Sequence, residues 1–558
     1  MRPIVNHATS MAVEHFAHSP TDGQDWSRAH VLRDHLESVA RLAGSNGASF
    51  GCESGANLAG LWHDLGKYRT RFQSYLRGNV RKGDDTSHKL AGAVHALESL
   101  REHPLMLPLT LAIAGHHGGI PAWGRGEKPL RERLGNIRTQ FPEYAESLVH
   151  APEDILKVRL HGEPPIANVV RDLSPNDRKT FWELFTRFLF SALVDADWSD
   201  TSEFYDPQQR TSREARDANR DGLIPRLRQC LDTHIDSLTS SVADTSVNRH
   251  RRDVLTSCRK AADHSPGIFE LTVPTGGGKT LASLAFALKH AEKHGLRRVV
   301  IVLPYTSIIE QNADAIRGIL GAENVLEHHS NLDVDAEIAR QHGDPKALHR
   351  YKLLTETWDA PVIITTAVQF LETLHHRHPS RLRKLHRLAR SVVILDECQT
   401  LPVHLLKPTL DTLRVLSRGF GATLVCCTAT QPALRNYDGE PQERLGDVIS
   451  PIIADAKPLF TDLRRVTVRW PNLDRPTSWD LLASELRTES RVLTIVHLTK
   501  DARTLAELLG DDVIHLSARM IPAHRARVLT EIRKRLTDPD ASCRVVATNL
   551  VEAGVDLD

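Results

Sequence analysis

No apolar run in this 558-residue sequence approaches the roughly 18 residues that a membrane-spanning helix needs, so no membrane partner is expected. The opening segment carries His7, Glu14, His15, Asp22 and Asp25 without an apolar core, so no secretory signal is expected either. The seven cysteines (Cys52, Cys230, Cys258, Cys398, Cys426, Cys427 and Cys543) form no C-x-x-C pair. Two of them lie inside the apolar run 423–427. That excludes a disulfide frame and a cysteine zinc site, and points to reduced thiols in the cytoplasm. Charge of one sign is missing too: 71 Lys+Arg against 70 Asp+Glu leaves +1, so a nucleic acid would have to be met by a local basic groove. Internal repeats and low-complexity tracts are absent, and 41% hydrophobic with 25% charged residues excludes wholesale disorder. What the chain does have in excess is histidine, 30 residues.

At about 150 residues per domain the length corresponds to roughly 3.7 domains. Up to about Asp232 the pattern is helical, without alternating strands. Segment 30–43 sets Val31, Leu32, Leu36, Val39, Leu42 and Ala43 on one stripe, and segments 57–76 and 181–198 read as amphipathic or buried helices. From about Gly267 short β-branched runs take over, at 268–273, 299–303, 362–365, 391–395, 423–427, 492–496 and 544–547. Helical stretches separate most of them, the grammar of βαβ units and a parallel sheet. The Ser/Thr-rich stretch 233–250 is the natural linker, and Pro458, Pro471 and Pro476 mark a second boundary near 456–480. The expected organisation is multidomain: an all-α domain over 1–235, a linker over 236–250, an α/β domain over 251–475, and the beginning of another over 476–558.

Strand 268–273 runs into Pro274-Thr275-Gly276-Gly277-Gly278-Lys279-Thr280 and then a helix-forming stretch. A glycine turn between strand and helix lets backbone N–H groups of residues 275–278 face a phosphate. Lys279 then reaches the β/γ-phosphates and the Thr280 hydroxyl binds Mg²⁺. Asp396-Glu397 follows strand 391–395, where an acidic pair suits Mg²⁺ coordination (Asp396) and orientation of the attacking water (Glu397). Thr428-Ala429-Thr430, Thr365-Thr366 and Leu303-Pro304-Tyr305-Thr306-Ser307 end further strands and offer hydroxyls to phosphates. Arg377, Arg381, Arg383, Lys384, Arg387 and Arg390 interleave with Leu382, Leu385 and Leu388. They read as a solvated helix face, with a grip on a nucleic-acid backbone as the alternative.

In the helical part His35 interrupts an apolar stripe, His63-Asp64 sits in LWHDLGK, His88 in SHKLAGA, His116-His117 in AIAGHHGG, and Asp195 and Asp197 in ALVDADWSD. One histidine on an apolar face is usually a satisfied core residue. Four separate sites with a buried-looking Asp suit Mn, Fe, Co, Ni or Zn rather than Ca. Their number exceeds one tetrahedral ion, implying two ions about 3.5–4 Å apart, with Asp64 as the natural bridge. Lys67, one turn after His63, could neutralise a scissile phosphate.

PTGGGKT, DECQ (396–399), TAT (428–430) and TNLVEAGVDLD (548–558) resemble motifs I, II, III and V of superfamily 2 helicases. With LPYTSIIEQN (303–312), TATQP (428–432) and HLSARMIPAHR (515–525), the chain resembles the CRISPR-associated helicase–nuclease of type I systems; AHS at 17–19 and RMIPAHR suggest subtype C. The order H…HD…H…HH…D is similar to the HD phosphohydrolase superfamily. The resemblance implies an all-α HD domain followed by α/β RecA-like helicase lobes. It implies the metal ligands His35, His63, Asp64, His88, His116, His117 and Asp197, with Asp195 as alternative to Asp197, and two divalent transition-metal ions (Mn, Fe, Co or Ni). Catalytic roles would fall on His63, Asp64, Lys67 and Glu397, with ATP and Mg²⁺ held by Thr275, Gly276, Gly277, Gly278, Lys279, Thr280, Asp396 and Glu397. The implied activity is 3′→5′ translocation on single-stranded DNA, the displaced strand of a target opened by a crRNA-guided Cascade complex, with nicking and degradation by the HD site. Motif VI is not reached before Asp558, so the second lobe is expected to be incomplete and this polypeptide alone to hydrolyse ATP slowly. Two alternatives remain: an HD nucleotide phosphohydrolase fused to an RNA helicase, and an inactive DNA- or Cascade-binding fragment.

Overall fold

Apolar residues at helical spacing wind the first part of the chain into a bundle. The computed structural model describes residues 14–558 except 22, 82, 84–85, 125–128, 141, 161–165, 305, 330–344, 430–444, 446–448, 472–473, 518 and 552–558. The bundle's main helices are α1 (Leu32–Ala48), α2 (Glu53–Trp62), α3 (Ala91–Ser99), α4 (Met106–Gly115) and α5 (Pro175–Tyr205). The stripe read from α1 buries Leu32, Leu36, Val39 and Ala43, with His35 among them, while Val31 and Leu42 lie at its margin. Segment 57–76 is not one helix: α2 stops at Trp62, a turn carries His63-Asp64, and a 3-10 turn Leu65–Tyr68 leads to a helix Thr70–Leu76. Helix α5 starts with Pro175 behind Ser174, whose hydroxyl accepts from the Asp177 N–H. It buries Phe181, Phe185, Phe188, Leu189, Ala192, Leu193 and Ala196. Each such phenylalanine contributes about 1.5–3 kcal/mol by leaving water. Two short antiparallel strands that the pattern did not announce, β1 (Phe16–His18) and β2 (His30–Val31), lie beside α1.

The polar stretch 233–250 is helical over most of its length. Helix α6 (Leu223–Ser241) and helix α7 (Ser246–Ala261), capped by Thr245, leave only a short break between them. Ile224, Leu227, Leu231 and Ile235 of α6 pack in the same core as the sheet that follows, so this segment is a structural layer with one polar face rather than an open linker. Among the described residues that sheet has seven parallel strands: β3 (Ile268–Thr272), β4 (Val299–Leu303), β5 (Val325–His328), β6 (Val362–Thr366), β7 (Val392–Leu395), β8 (Thr423–Thr428) and β9 (Ile449–Pro451). Their order is β5-β6-β4-β7-β8-β3-β9. One face is covered by α6, α7 and α8 (Lys279–His294). The other face, with α9 (Leu406–Phe420), shares a core with the helical bundle; Phe188 stacks on Phe420 with ring centroids 4.1 Å apart.

The arginine cluster before β7 belongs to this junction. Arg383 and Arg387 are not solvated: Arg383 Nε lies 2.8 Å from Asp195 Oδ1, and Arg387 Nη1 lies 3.0 Å from Asp359 Oδ1. Arg216 and Arg220 also reach Asp359, at 3.2 and 3.0 Å. Leu382, Leu385 and Leu388 are core residues. A third element, the parallel sheet β10 (Arg491–Val496), β11 (Val513–Leu516) and β12 (Cys543–Thr548), has the order β10-β12-β11. Run 544–547 is therefore central among the described strands, whereas β10 lies at an edge and leaves Leu493 and Ile495 exposed. Motif V is described only as far as Val551.

Candidate functional site

Two groups of side chains converge, one at the carboxyl ends of the sheet and one inside the bundle. In the sheet, β8 lies between β3 and β7, so the loops after β3 and β7 face each other across it. The loop after β3 turns on Gly276 and Gly278, both near φ +80°, a region open to glycine at little strain. Arg251 of α7 braces it, its Nε donating to the Gly276 carbonyl at 2.9 Å. At the start of α8, Lys279 Nζ lies 3.1 Å from Asp396 and pairs closely with Glu397. Glu397 sits at φ 48°, an uncommon conformation for a non-glycine residue. Burial pushes the Asp396 carboxyl up; on Glu397 burial is outweighed by Lys279 and Gln399, which hold it low. Gln399, to which the motif reading gave no role, donates to Glu397 Oε2 at 2.6 Å and accepts from Thr428 Oγ1 at 2.8 Å. The ends of β3, β7 and β8 are thus linked through polar contacts. Thr280 is exposed at this end of the loop.

Thr365 and Thr366 do not join this site. Thr365 Oγ1 donates to the His328 carbonyl, and Thr366 caps the following helix by accepting from the Gln369 N–H. Tyr305 and Thr430 lie outside the described residues, as do the side chains of Thr306 and Ser307.

Inside the bundle the structure brings together His35 (α1), His63-Asp64 (after α2), His88 (before α3), His116-His117 (after α4) and Asp197 (α5). Gly66 permits the approach of the 63–66 turn to the His88 segment: a Cβ there would lie 2.2 Å from the His88 carbonyl oxygen. Asp64 faces two groups at once. Its Oδ1 lies 3.6 Å from His88 Nε2 and 3.5 Å from His116 Nε2. Its Oδ2 lies 3.6 Å from His35 Nε2 and 3.4 Å from His63 Nε2, and Asp197 Oδ1 is 3.6 Å from each of those two imidazoles. His117 Nε2 is 2.7 Å from His88 Nε2. Asp195, two residues from Asp197, turns the other way onto Arg383. Lys67 is buried, not a surface lysine, with Nζ 2.6 Å from Asp64 Oδ2.

The donor set fits cations. Three imidazoles have their Nδ1 engaged from behind: His35 on Asp200 at 2.7 Å, His63 on the Gly60 carbonyl at 2.7 Å, and His116 on the Ile113 carbonyl at 2.6 Å. That fixes the tautomer whose Nε2 lone pair points inward. His35 Nε2, His63 Nε2, His116 Nε2 and Asp64 Oδ1 are all buried without a hydrogen-bond partner. Burying an unsatisfied polar atom costs about 1–3 kcal/mol, so four converging ones call for a ligand. Burial drives His88 and His117 down to about 3, leaving them neutral donors. At His63 burial opposes charge, but Asp64 and Asp197 outweigh it and raise the imidazole to about 10, so the local field favours positive charge. The sequence reading missed Asp200, one turn after Asp197 on α5, whose i+3 spacing was available. It also missed His18 and His30, which flank His35 from β1 and β2.

The parallel α/β sheet carries a glycine turn and, facing it, an acidic strand end, and residues 247–437 match the DEAD/DEAH box helicase family model. The chain is 25% identical over 441 residues to the CRISPR-associated nuclease/helicase Cas3 of Haloferax volcanii, a match spanning 68% of this chain and 45% of that relative. It is 22% identical over 602 residues to the protein of the same description from Methanothermobacter thermautotrophicus, spanning 95% of this chain and 69% of that one. The crystal structure of T. fusca Cas3 with AMPPNP superposes with a TM-score of 0.61 at 20% identity, over 95% of this chain and 68% of that chain. These likenesses support a Cas3-like helicase with a helical N-terminal region, as the motifs implied. Among the described residues no helix is long and apolar enough to cross a membrane.

Proposed function

We propose that the chain is a CRISPR interference enzyme with two centres: a metal-dependent nuclease of HD type in the bundle and an ATP-dependent single-stranded DNA motor in the sheets. The observation that carries the reading is Asp64, one oxygen toward each of two imidazole groups, on the same chain as a DEAD/DEAH box domain. His35, His63 and Asp197 would hold one divalent transition metal; His88, His116 and His117 the other, with Asp64 shared. When bound, such a pair supplies Lewis-acid activation of water and of a phosphodiester. The chain's own contribution is to fix the imidazole tautomers, exclude water from the ligand shell, and set the Lys67 ammonium beside Asp64, where it offsets phosphate charge. In the sheet, Lys279 and the 275–278 backbone would bind ATP phosphates, Thr280 and Asp396 would hold Mg²⁺, and Glu397, steadied by Gln399, would orient water. The substrate is the displaced DNA strand presented by a crRNA-guided Cascade complex; a chain of a "CRISPR RNA-guided surveillance complex, pre-nicking" structure superposes with a TM-score of 0.51 at 18% identity. The test is digestion of circular single-stranded DNA with added Mn²⁺, Co²⁺, Ni²⁺ or Fe²⁺, beside free nucleotides as competing substrates. DNA cleavage supports the reading; turnover of free nucleotides with intact DNA contradicts it and favours a nucleotide phosphohydrolase.

A further inference from the structure

One cation against the phosphate loop belongs to none of the motifs. After β9, the chain passes through a short helix Lys457–Asp462 and returns across the loop that follows β3. Leu459 packs in the core with α6, α7 and α8, and Leu463 is buried, its Cδ1 3.7 Å from where a Cβ on Gly277 would lie. Asp462 pairs with His250 of α7 at 3.2 Å. These anchors hold Arg465 over Gly276: a Cβ on Gly276 would lie 3.1 Å from its Nη2 and 3.3 Å from its Nη1. A side chain at residue 276 would press on the guanidinium, so the glycine leaves it that room. The neighbouring cations have protein partners: Lys279 pairs with the two carboxylates, and Arg251 donates to the Gly276 carbonyl and to Asn248 Oδ1. Arg465 is exposed, and among the described residues no carboxylate pairs with it.

A guanidinium with no carboxylate partner among the described residues, held against this glycine turn, suits a polyphosphate, because its planar fork matches two phosphate oxygens at once. We infer that Arg465 is a nucleotide-phosphate ligand, supplied in cis by the segment that leaves the first sheet. The inference rests on the ATP reading of this loop and names a contact which that reading lacks.

Equilibrium binding of a fluorescent ATP analogue to the full chain tests it, comparing wild type with R465A, R465K and R464A. A charge-assisted hydrogen bond of this kind corresponds to about a tenfold to hundredfold change in affinity. R465A is expected to weaken binding by that factor, and R465K, which keeps the charge but not the fork, to fall between. Arg464 turns its Nε to its own neighbour, the Val466 carbonyl, so R464A is expected to bind like wild type. Unchanged affinity in R465A, or tighter binding because the arginine merely blocks the loop, overturns the inference, as does an equal loss in R464A. If wild type binds ATP and K279A does not, the ATP reading stands whatever R465A does. If wild type does not bind at all, both fall.

Discussion

Replacing Asp200 by alanine removes the acceptor that holds His35 in its ring orientation. Asp200 Oδ2 lies 2.7 Å from His35 Nδ1, and both side chains are almost wholly buried, at 1% and 0% exposure. In front, His35 Nε2 stands 3.6 Å from Asp64 and 3.6 Å from Asp197, so a small rotation about the ring takes its lone pair off the point where those oxygens converge. A hydrogen bond to a charged group contributes about 1.5–3 kcal/mol. Loss of an outer-shell partner typically lowers metal affinity about 10–100-fold, which is roughly 1.4–2.8 kcal/mol. The two magnitudes agree, so D200A is expected to weaken one of two binding events by that factor. D200N, which keeps an acceptor oxygen but not the charge, should recover part of it. Titration with Co²⁺, followed by visible absorbance and by the rise in melting temperature, reads this without any nuclease assay. If D200A takes up both ions with wild-type affinity, Asp200 does not position His35 and the argument from tautomer control fails.

Two further outcomes follow from the same geometry. In G66A the new methyl would press on the His88 carbonyl from 2.2 Å, forcing the 63–66 turn and the His88 segment apart; a loss of about 1–3 kcal/mol in stability and of cleavage is expected, read by melting and DNA digestion, and a wild-type variant would contradict the packing. At the junction of bundle and sheet, burial alone would raise the Asp359 carboxyl, but Arg387, Arg220 and Arg216 outweigh it and hold it well below the usual carboxylate range. A folded-state pKa below the unfolded value of about 3.9 means the stabilisation is complete above that pH and is lost as pH falls through it toward the folded value. The melting temperature of wild type should therefore drop more steeply than that of D359N between about pH 5 and pH 3; equal slopes would refute the pairing.

Much of this was legible in the chain because periodicity and spacing are local. The α1 stripe, the seven β-branched runs and the phosphate loop each announce themselves within a dozen residues. The histidines and Asp197 converge, and Asp195 separates from Asp197 because residues two apart on a helix point about 200° apart, to nearly opposite sides. What stayed hidden depends on distant partners. Arg383 reads as solvated until Asp195, 188 residues earlier, is placed against it. The second half of α6, from Thr233 on, was masked by serines and threonines on its exposed face, although Ile235 continues the helical spacing of Ile224, Leu227 and Leu231. Strands β5, β9 and β11 are short and carry Glu327, His328, Ser450, Pro451 or His515, so no apolar run marks them. Thr365 and Thr366 look like phosphate donors only because sequence cannot say that their hydroxyls are already bonded.

The central claim is that one chain carries a metal-dependent nuclease and an ATP site that work separately. Digestion of circular single-stranded DNA and binding of ATP, measured side by side for wild type, D64A and K279A in Mn²⁺ or Co²⁺, test it most directly. The account predicts that D64A loses cleavage in every metal while binding ATP like wild type, and that K279A cleaves DNA while losing ATP. Near-wild-type cleavage by D64A, or loss of both activities in either variant while it stays folded, would contradict it.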